Sequence, residues 1–193
     1  MPMIDVTIPE GALKPEAEER LMKEISDILI RAEGYTPETN KIAQSRTWLL
    51  LHRPAAVYVA GARTDTVRYR IVTTVPEGQY TDAVREVLVR EVTEAVVRAD
   101  GGKFEDVAPR VWVFPVEVPD GQWGGRGRIV RLSEIHASFL SGEPDHIKAG
   151  QDGHKVGQER VARRRREKAH ELLAGALDAV QKGTAAESSA AVG

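Results

Sequence analysis

The chain has 193 residues, of which 41% are hydrophobic and 29% charged, with a formal net charge of −2 and no cysteine. That length holds one sizeable core, or one core with an appendage. Disulfides, thiolate catalysis and cysteine-held metals are excluded, and the near-neutral charge does not point to a dedicated nucleic-acid binder.

The opening stretch, MPMIDVTIPE, lacks the basic-then-apolar pattern of a signal peptide, and no apolar run is long enough to span a membrane. The expectation is a cytoplasmic protein with no membrane partner. The β-branched run Ile4 to Ile8 reads as a buried strand, which Pro9-Glu10-Gly11 then breaks. A helix follows, with Ala17, Leu21, Ile25, Ile28, Leu29 and Ala32 on one face, and Gly34 stops it. Trp48 to His52 reads as a second strand.

The same order then recurs. Residues 3–34 and 70–101 align without a gap at a constant offset of 67, pairing Pro9 with Pro76, Gly11 with Gly78, Leu21 with Leu88 and Gly34 with Gly101. The chain is therefore two copies of one unit. In the second copy Ile71 to Val75 is the strand. Val84, Leu88, Val92, Val96 and Ala99 form the helix face, and Val111 to Val118 is the closing strand. Strand, helix and strand in sequence favour a right-handed crossover with parallel pairing.

Asp120 to Arg128 reads as a tight turn into a short hairpin ending near Leu132. Residues 141–155 read as a loop, residues 156–181 as a helix with Val161, Leu172, Leu173, Ala176, Leu177 and Val180 on one side, and the last ten residues as disordered. The fold class is α+β: tandem β-α-β units forming a four-stranded sheet with two helices on one face. Residues 1–140 make one domain (units 2–66 and 69–135), and 141–193 an appendage. The uncovered sheet face requires a cover or an oligomer.

A Met-Pro start, a Pro-Glu-Gly turn, one helix, a second strand and a Gly- and Trp-containing hairpin together resemble oxalocrotonate tautomerase over about residues 2–140. The tandem form resembles the fused members of the tautomerase superfamily, and also malonate semialdehyde decarboxylase and the chloroacrylic acid dehalogenases. His52-Arg53-Pro54 and the Trp123 to Arg128 stretch are most similar to the decarboxylase branch. The resemblance implies that Pro2, exposed when Met1 is removed, supplies a catalytic secondary amine and that no cofactor or metal is needed. It also implies a homotrimer acting on a small keto or enol acid. An ordinary α-amino group titrates near about 8, and burial in an apolar pocket lowers that value. Position 69, the repeat counterpart of Pro2, is Tyr69 and has no free amine, so one chain supplies one catalytic amine.

Carboxylate binding calls for arginine, whose fork matches two oxygens. Where the family places arginines after the strand-end turn, this chain has Ala12 and Gln79. Arg46, Arg53, Arg70 and Arg126 remain as substrate-binding candidates, with His52 a possible contact and Trp123 the residue matching the family's aromatic wall. Each has a plainer reading: His52-Arg53-Pro54 as a strand end, Trp123 as packing, and Arg68 and Arg70 as solvated or interchain ion pairs. His146 and His154 lack metal-ligand spacing. Arg163 to Arg166 reads as a solvated helix face, and nucleic acid is not an expected partner. The expected activity is keto-enol proton transfer by Pro2 as base and then acid. The alternatives are hydration or decarboxylation of a small acid, with Glu117 or His52 activating water, and a non-catalytic assembly protein.

Overall fold

The computed structural model describes residues 3–140 and, in the tail, residues 159, 162–163, 165–178 and 180. Pro2, the loop expected over 141–155 with His146 and His154, and the last ten residues lie outside the described residues. Strand β1 (Met3–Thr7) leads to helix α1 (Pro15–Ala32), a short helix α2 (Lys41–Arg46) and strand β2 (Trp48–His52). A small hairpin, β3 (Tyr58–Val59) and β4 (Ala62–Arg63), joins the two units. The second unit runs β5 (Tyr69–Pro76), α3 (Asp82–Asp100), α4 (Phe104–Val107), a 3-10 turn (Ala108–Arg110) and β6 (Val111–Val118). Two-residue strands β7 (Gly124–Gly125) and β8 (Arg128–Ile129) and helix α5 (Leu132–Leu140) follow.

The four long strands form one sheet in the order β2-β1-β5-β6. Each unit pairs its own strands in parallel, β1 with β2 and β5 with β6. The units meet antiparallel, β1 against β5, with Ile4 opposite Thr73 and Thr7 opposite Arg70. This is the expected four-stranded α+β sheet with two helices on one face.

Alternation along the strands separates two faces. Ile4, Val6, Ile8, Tyr69, Ile71 and Val75 point at the helices and are buried. Leu21, Ile25 and Leu29 of α1 and Leu88, Val92 and Val96 of α3 meet them in one core. Pro15 opens α1, where its missing N–H costs nothing. The Thr81 hydroxyl caps α3 by accepting from the Val84 amide at 3.0 Å. Gly34 (φ 85°) and Gly101 (φ 80°) adopt the left-handed conformation that lets each chain leave its helix.

Among the described residues, nothing covers the other face. Trp48, Leu50, Trp112, Phe114 and Val116 are all exposed there. Three rows cross it: Trp48–Met3–Thr74–Val116, Leu50–Asp5–Val72–Phe114 and His52–Thr7–Arg70–Trp112.

Two features depart from the sequence reading. The hairpin ends near Leu132 as expected, but a helix not anticipated in the sequence follows it, α5, whose Leu132 and Ile135 are buried. The described tail residues are helical, as expected, but Leu172, Leu173, Leu177 and Val180 face solvent. No helix among the described residues is long and apolar enough to cross a membrane.

Candidate active site

The strand registers fix how the two units correspond. Met3 sits beside Trp48 in the first unit, and Arg70, 67 residues on from Met3, sits beside Trp112 in the second. Trp112 lies 64 residues on from Trp48, so the closing strands correspond at an offset of 64 rather than 67. Arg110 is thereby the counterpart of Arg46, and Glu117 of Arg53.

In the second unit the position corresponding to Pro2 is Tyr69, which is buried. Its hydroxyl donates to Asp100 Oδ2 at 2.6 Å. Arg110 Nη2 donates to the same carboxylate at 3.2 Å, and its guanidinium lies 5.8 Å from the Tyr69 ring centre. Burial, then the bonded Asp100, hold the Tyr69 phenol far above its ordinary value.

The first unit carries the counterparts Glu33 and Arg46. Glu33 caps α1 and is only 2% exposed, with both carboxylate oxygens shielded from solvent. Arg46, at the end of α2, is half-buried and donates to Ser138 Oγ of α5. The second unit completes this end of the sheet, because antiparallel pairing brings the close of β5 to the start of β1. Thr73, Gln79 and Tyr80 are all buried here, and the Tyr80 hydroxyl lies 3.4 Å from Thr73 Oγ1. Burial raises the Tyr80 phenol well above its ordinary value, and the nearby charge of Glu33 pushes the same way. The result is a buried polar cluster of Glu33, Thr73, Gln79 and Tyr80 beside the first strand's opening residue.

Trp123 packs with Ile30, Tyr35, Ala43 and Ile135, next to Glu33 and Arg46 in the chain. The hairpin and α5 thus wall this end of the molecule. Arg46 and Trp123 are the two sequence candidates that the fold brings to it. Arg126 is exposed at the hairpin tip, held at φ 54°. His52, Arg53 and Arg70 lie at the opposite end of β1, about 13 Å along the strand from Met3 at ~3.3 Å per residue. There His52 Nε2 is 2.6 Å from Asp5 Oδ1. Arg53 Nη2 holds both oxygens of Glu18, at 2.7 and 2.8 Å, and its Nε lies 3.0 Å from Glu10. The Arg70 guanidinium lies 5.5 Å from the centre of the Phe114 ring.

Glu117 does reach the cluster's edge, but its oxygens are engaged. Oε1 accepts from the Gly78 and Tyr80 amides at 2.9 and 3.0 Å, and Oε2 accepts from Arg85 at 2.9 Å. A carboxylate bonded in this way orders the turn rather than serving as a base. Among the described residues no group of His, Asp and Glu is arranged to hold a metal.

Sequence reasoning passed over Glu33, Thr73 and Tyr80. One signal was available: a glutamate next to the helix-stopping Gly34, on a duplicated frame whose other copy has Asp100.

The architecture is that of a tandem β-α-β protein built around one mixed sheet, with the polar cluster at the first strand's opening. No family model and no curated protein matches the sequence. Solved structures do. Pt0534 inactivated by 2-oxo-3-pentynoate matches 66% of this chain and 94% of its own, at 20% identity and a TM-score of 0.53. The F6 fused 4-OT wild-type asymmetric trimer matches the same shares at 19% identity and a TM-score of 0.53. Macrophage migration inhibitory factor of Toxoplasma gondii matches 66% and 99%, at 13% identity and a TM-score of 0.51. The chain shares the fold of these solved structures, fused 4-OT and macrophage migration inhibitory factor among them.

Proposed function

We propose that this chain is a tautomerase that moves a proton on a small keto or enol carboxylic acid, using the Pro2 amine as its proton carrier. The observation that carries the reading is the buried polar cluster at the opening of β1, on a fold shared with fused 4-OT. A proline nitrogen bears a transferable proton only at a chain terminus, so the chemistry depends on removal of Met1.

Arg46 is the arginine best placed to take the substrate carboxylate, while Trp123 and the α5 wall keep the site apolar. Gln79 offers an amide to the substrate oxygen. The site needs no cofactor in this scheme. Pt0534 was inactivated by 2-oxo-3-pentynoate, an acetylenic keto acid, and that supports a keto-acid substrate class. Arg53, Arg70, His52 and Arg126 reach a site only if another copy presents them. The exposed apolar side chains of that sheet face support a trimer, as in the F6, R7 and Q0 fused 4-OT structures.

The test is ketonisation of phenylenolpyruvate by untagged protein whose N-terminal mass has been verified. Pro2→Ala should lower kcat/KM at least ~10²-fold, the usual contribution of a positioned acid or base. Equal activity in the two proteins removes the amine from the mechanism.

A further inference from the structure

The tail carries charge and apolar surface that neither the core nor the candidate site uses. Residues 165–178 form one helical run and are exposed throughout. Leu172, Leu173 and Leu177 within it, and Val180 beyond it, are 67%, 62%, 64% and 64% exposed. At about 100° per residue, Leu172, Leu173, Ala176 and Leu177 share one side, with Ala169 a turn earlier on it. Arg165 and Arg166 stand seven residues before Leu172 and Leu173, so they continue that side toward the start of the run. Lys168, four residues before Leu172, borders it. The acids lie elsewhere: Glu167, Glu171 and Asp178, spaced by four and seven, form a stripe on the opposite side. Charge is thus sorted by side, with the cations beside the leucines and the acids away from them.

The cationic side already holds an anion. Arg165 Nη2 donates to Glu77 Oε2 at 3.1 Å and Arg165 Nε to Oε1 at 3.3 Å, and the charge of Lys168 also favours the ionised Glu77. The pair is partly exposed on both sides, 54% for Arg165 and 30% for Glu77, so it is weak and screened by salt. A denser array of anions can displace it.

From this we propose that the tail helix lies on an anionic lipid surface, with its leucines at the acyl boundary and Arg165, Arg166 and Lys168 on the headgroup phosphates. A helix of this kind rests in the interface plane and needs no spanning segment, whose lack was the ground for expecting no membrane partner. A second copy of the helix is a poor occupant, because the residues beside the leucines are cations that two copies would set against each other. A groove that wraps the helix is a poor one as well, since it would bury the stripe of Glu167, Glu171 and Asp178, which a flat surface leaves in water. Lipid contact here is independent of the Pro2 chemistry.

Flotation of the full-length protein with vesicles is the test. The protein should bind vesicles of equimolar phosphatidylcholine and phosphatidylglycerol, bind phosphatidylcholine alone at least ~10-fold more weakly, and be released as salt rises. Leu173→Glu combined with Leu177→Glu puts charge on the apolar side and should weaken binding at least ~10-fold. Arg166→Gln combined with Lys168→Gln should do the same, while Glu171→Gln, on the opposite side, should not weaken it. All five side chains are exposed, so each variant should unfold at the wild-type temperature. No binding to the anionic vesicles at low salt overturns the proposal, and so does binding that survives the leucine changes. Preference for a DNA duplex over the vesicles would assign the cations to nucleic acid. An oligomer that dissociates when the leucines are changed would assign their side to a second copy. Either of these results also overturns lipid contact.

Discussion

The two units share a frame and differ in how each position on it is filled. At the opening of β1 the second unit's counterpart is closed by a phenol, a carboxylate and an arginine that satisfy one another, and nothing remains to meet a substrate. The first unit keeps the carboxylate and the arginine but has a proline in place of the phenol. On the proposed reading, a duplicated fold holds one copy as structure and one as chemistry, because Tyr69 is mid-chain and its nitrogen is a peptide nitrogen.

The charges at the other end of each unit are inverted. In the first, Arg53 at the end of β2 holds Glu18 of α1 and also Glu10 of the turn. In the second, the corresponding strand-end residue is Glu117, and the corresponding helix residue is Arg85, which it holds at 2.9 Å. The geometry survives the swap because a salt bridge is indifferent to which side carries which sign. The turn residue is not indifferent. Glu77 is the counterpart of Glu10, but the counterpart of Arg53 is a glutamate, and the cation on Glu77 comes from the tail, with Arg165 Nη2 at 3.1 Å.

This comparison can be broken at three levels. The largest effect is in the shared core. Leu21 and Leu88 are counterparts, each 1% exposed, and replacing either by alanine should cost about 2–5 kcal/mol. Urea unfolding should give similar losses for the two, and a large difference would mean that the units are not energetically equivalent. A middle effect belongs to Tyr69→Phe, which deprives Asp100 of one of its two donors and leaves Arg110 as the other. It should cost roughly 1–2 kcal/mol and leave kcat/KM for phenylenolpyruvate unchanged, since that triad is structural.

The smallest effect is in the tail. Arg165→Ala should speed amide exchange across residues 165–178 with little change in global stability, because the pair is solvent-exposed and screened by salt. The Arg165 hydrogen bond, then the Asp120 amide, hold Glu77 below the ordinary carboxylate range. The contact is therefore fully present above that range and is lost as pH falls through the depressed Glu77 value. Exchange in the tail should rise in that acid window, and an exchange rate flat with pH there would deny the Glu77 contact.

The sequence by itself carried the duplication, both helix faces and the bounds of β2 and β6, because those depend on local periodicity and on glycine and proline punctuation. It also made Pro2 and Tyr69 counterparts, since the opening segments align without a gap. The offset of 64 between the closing strands was not legible, for it depends on where β2 and β6 settle against their neighbours. Without that register Arg46 and Arg110 cannot be matched, nor Arg53 and Glu117. Nor could the sequence separate Arg46 and Trp123 from His52, Arg53 and Arg70, which it offered on equal terms. Only the antiparallel meeting of β1 with β5 decided that, by carrying Thr73, Gln79 and Tyr80 of the second unit to the first unit's opening end. Glu33 escaped notice for a related reason. A lone glutamate at a helix end is ordinarily solvated, and what buries this one comes from segments remote in the chain, which no local pattern records.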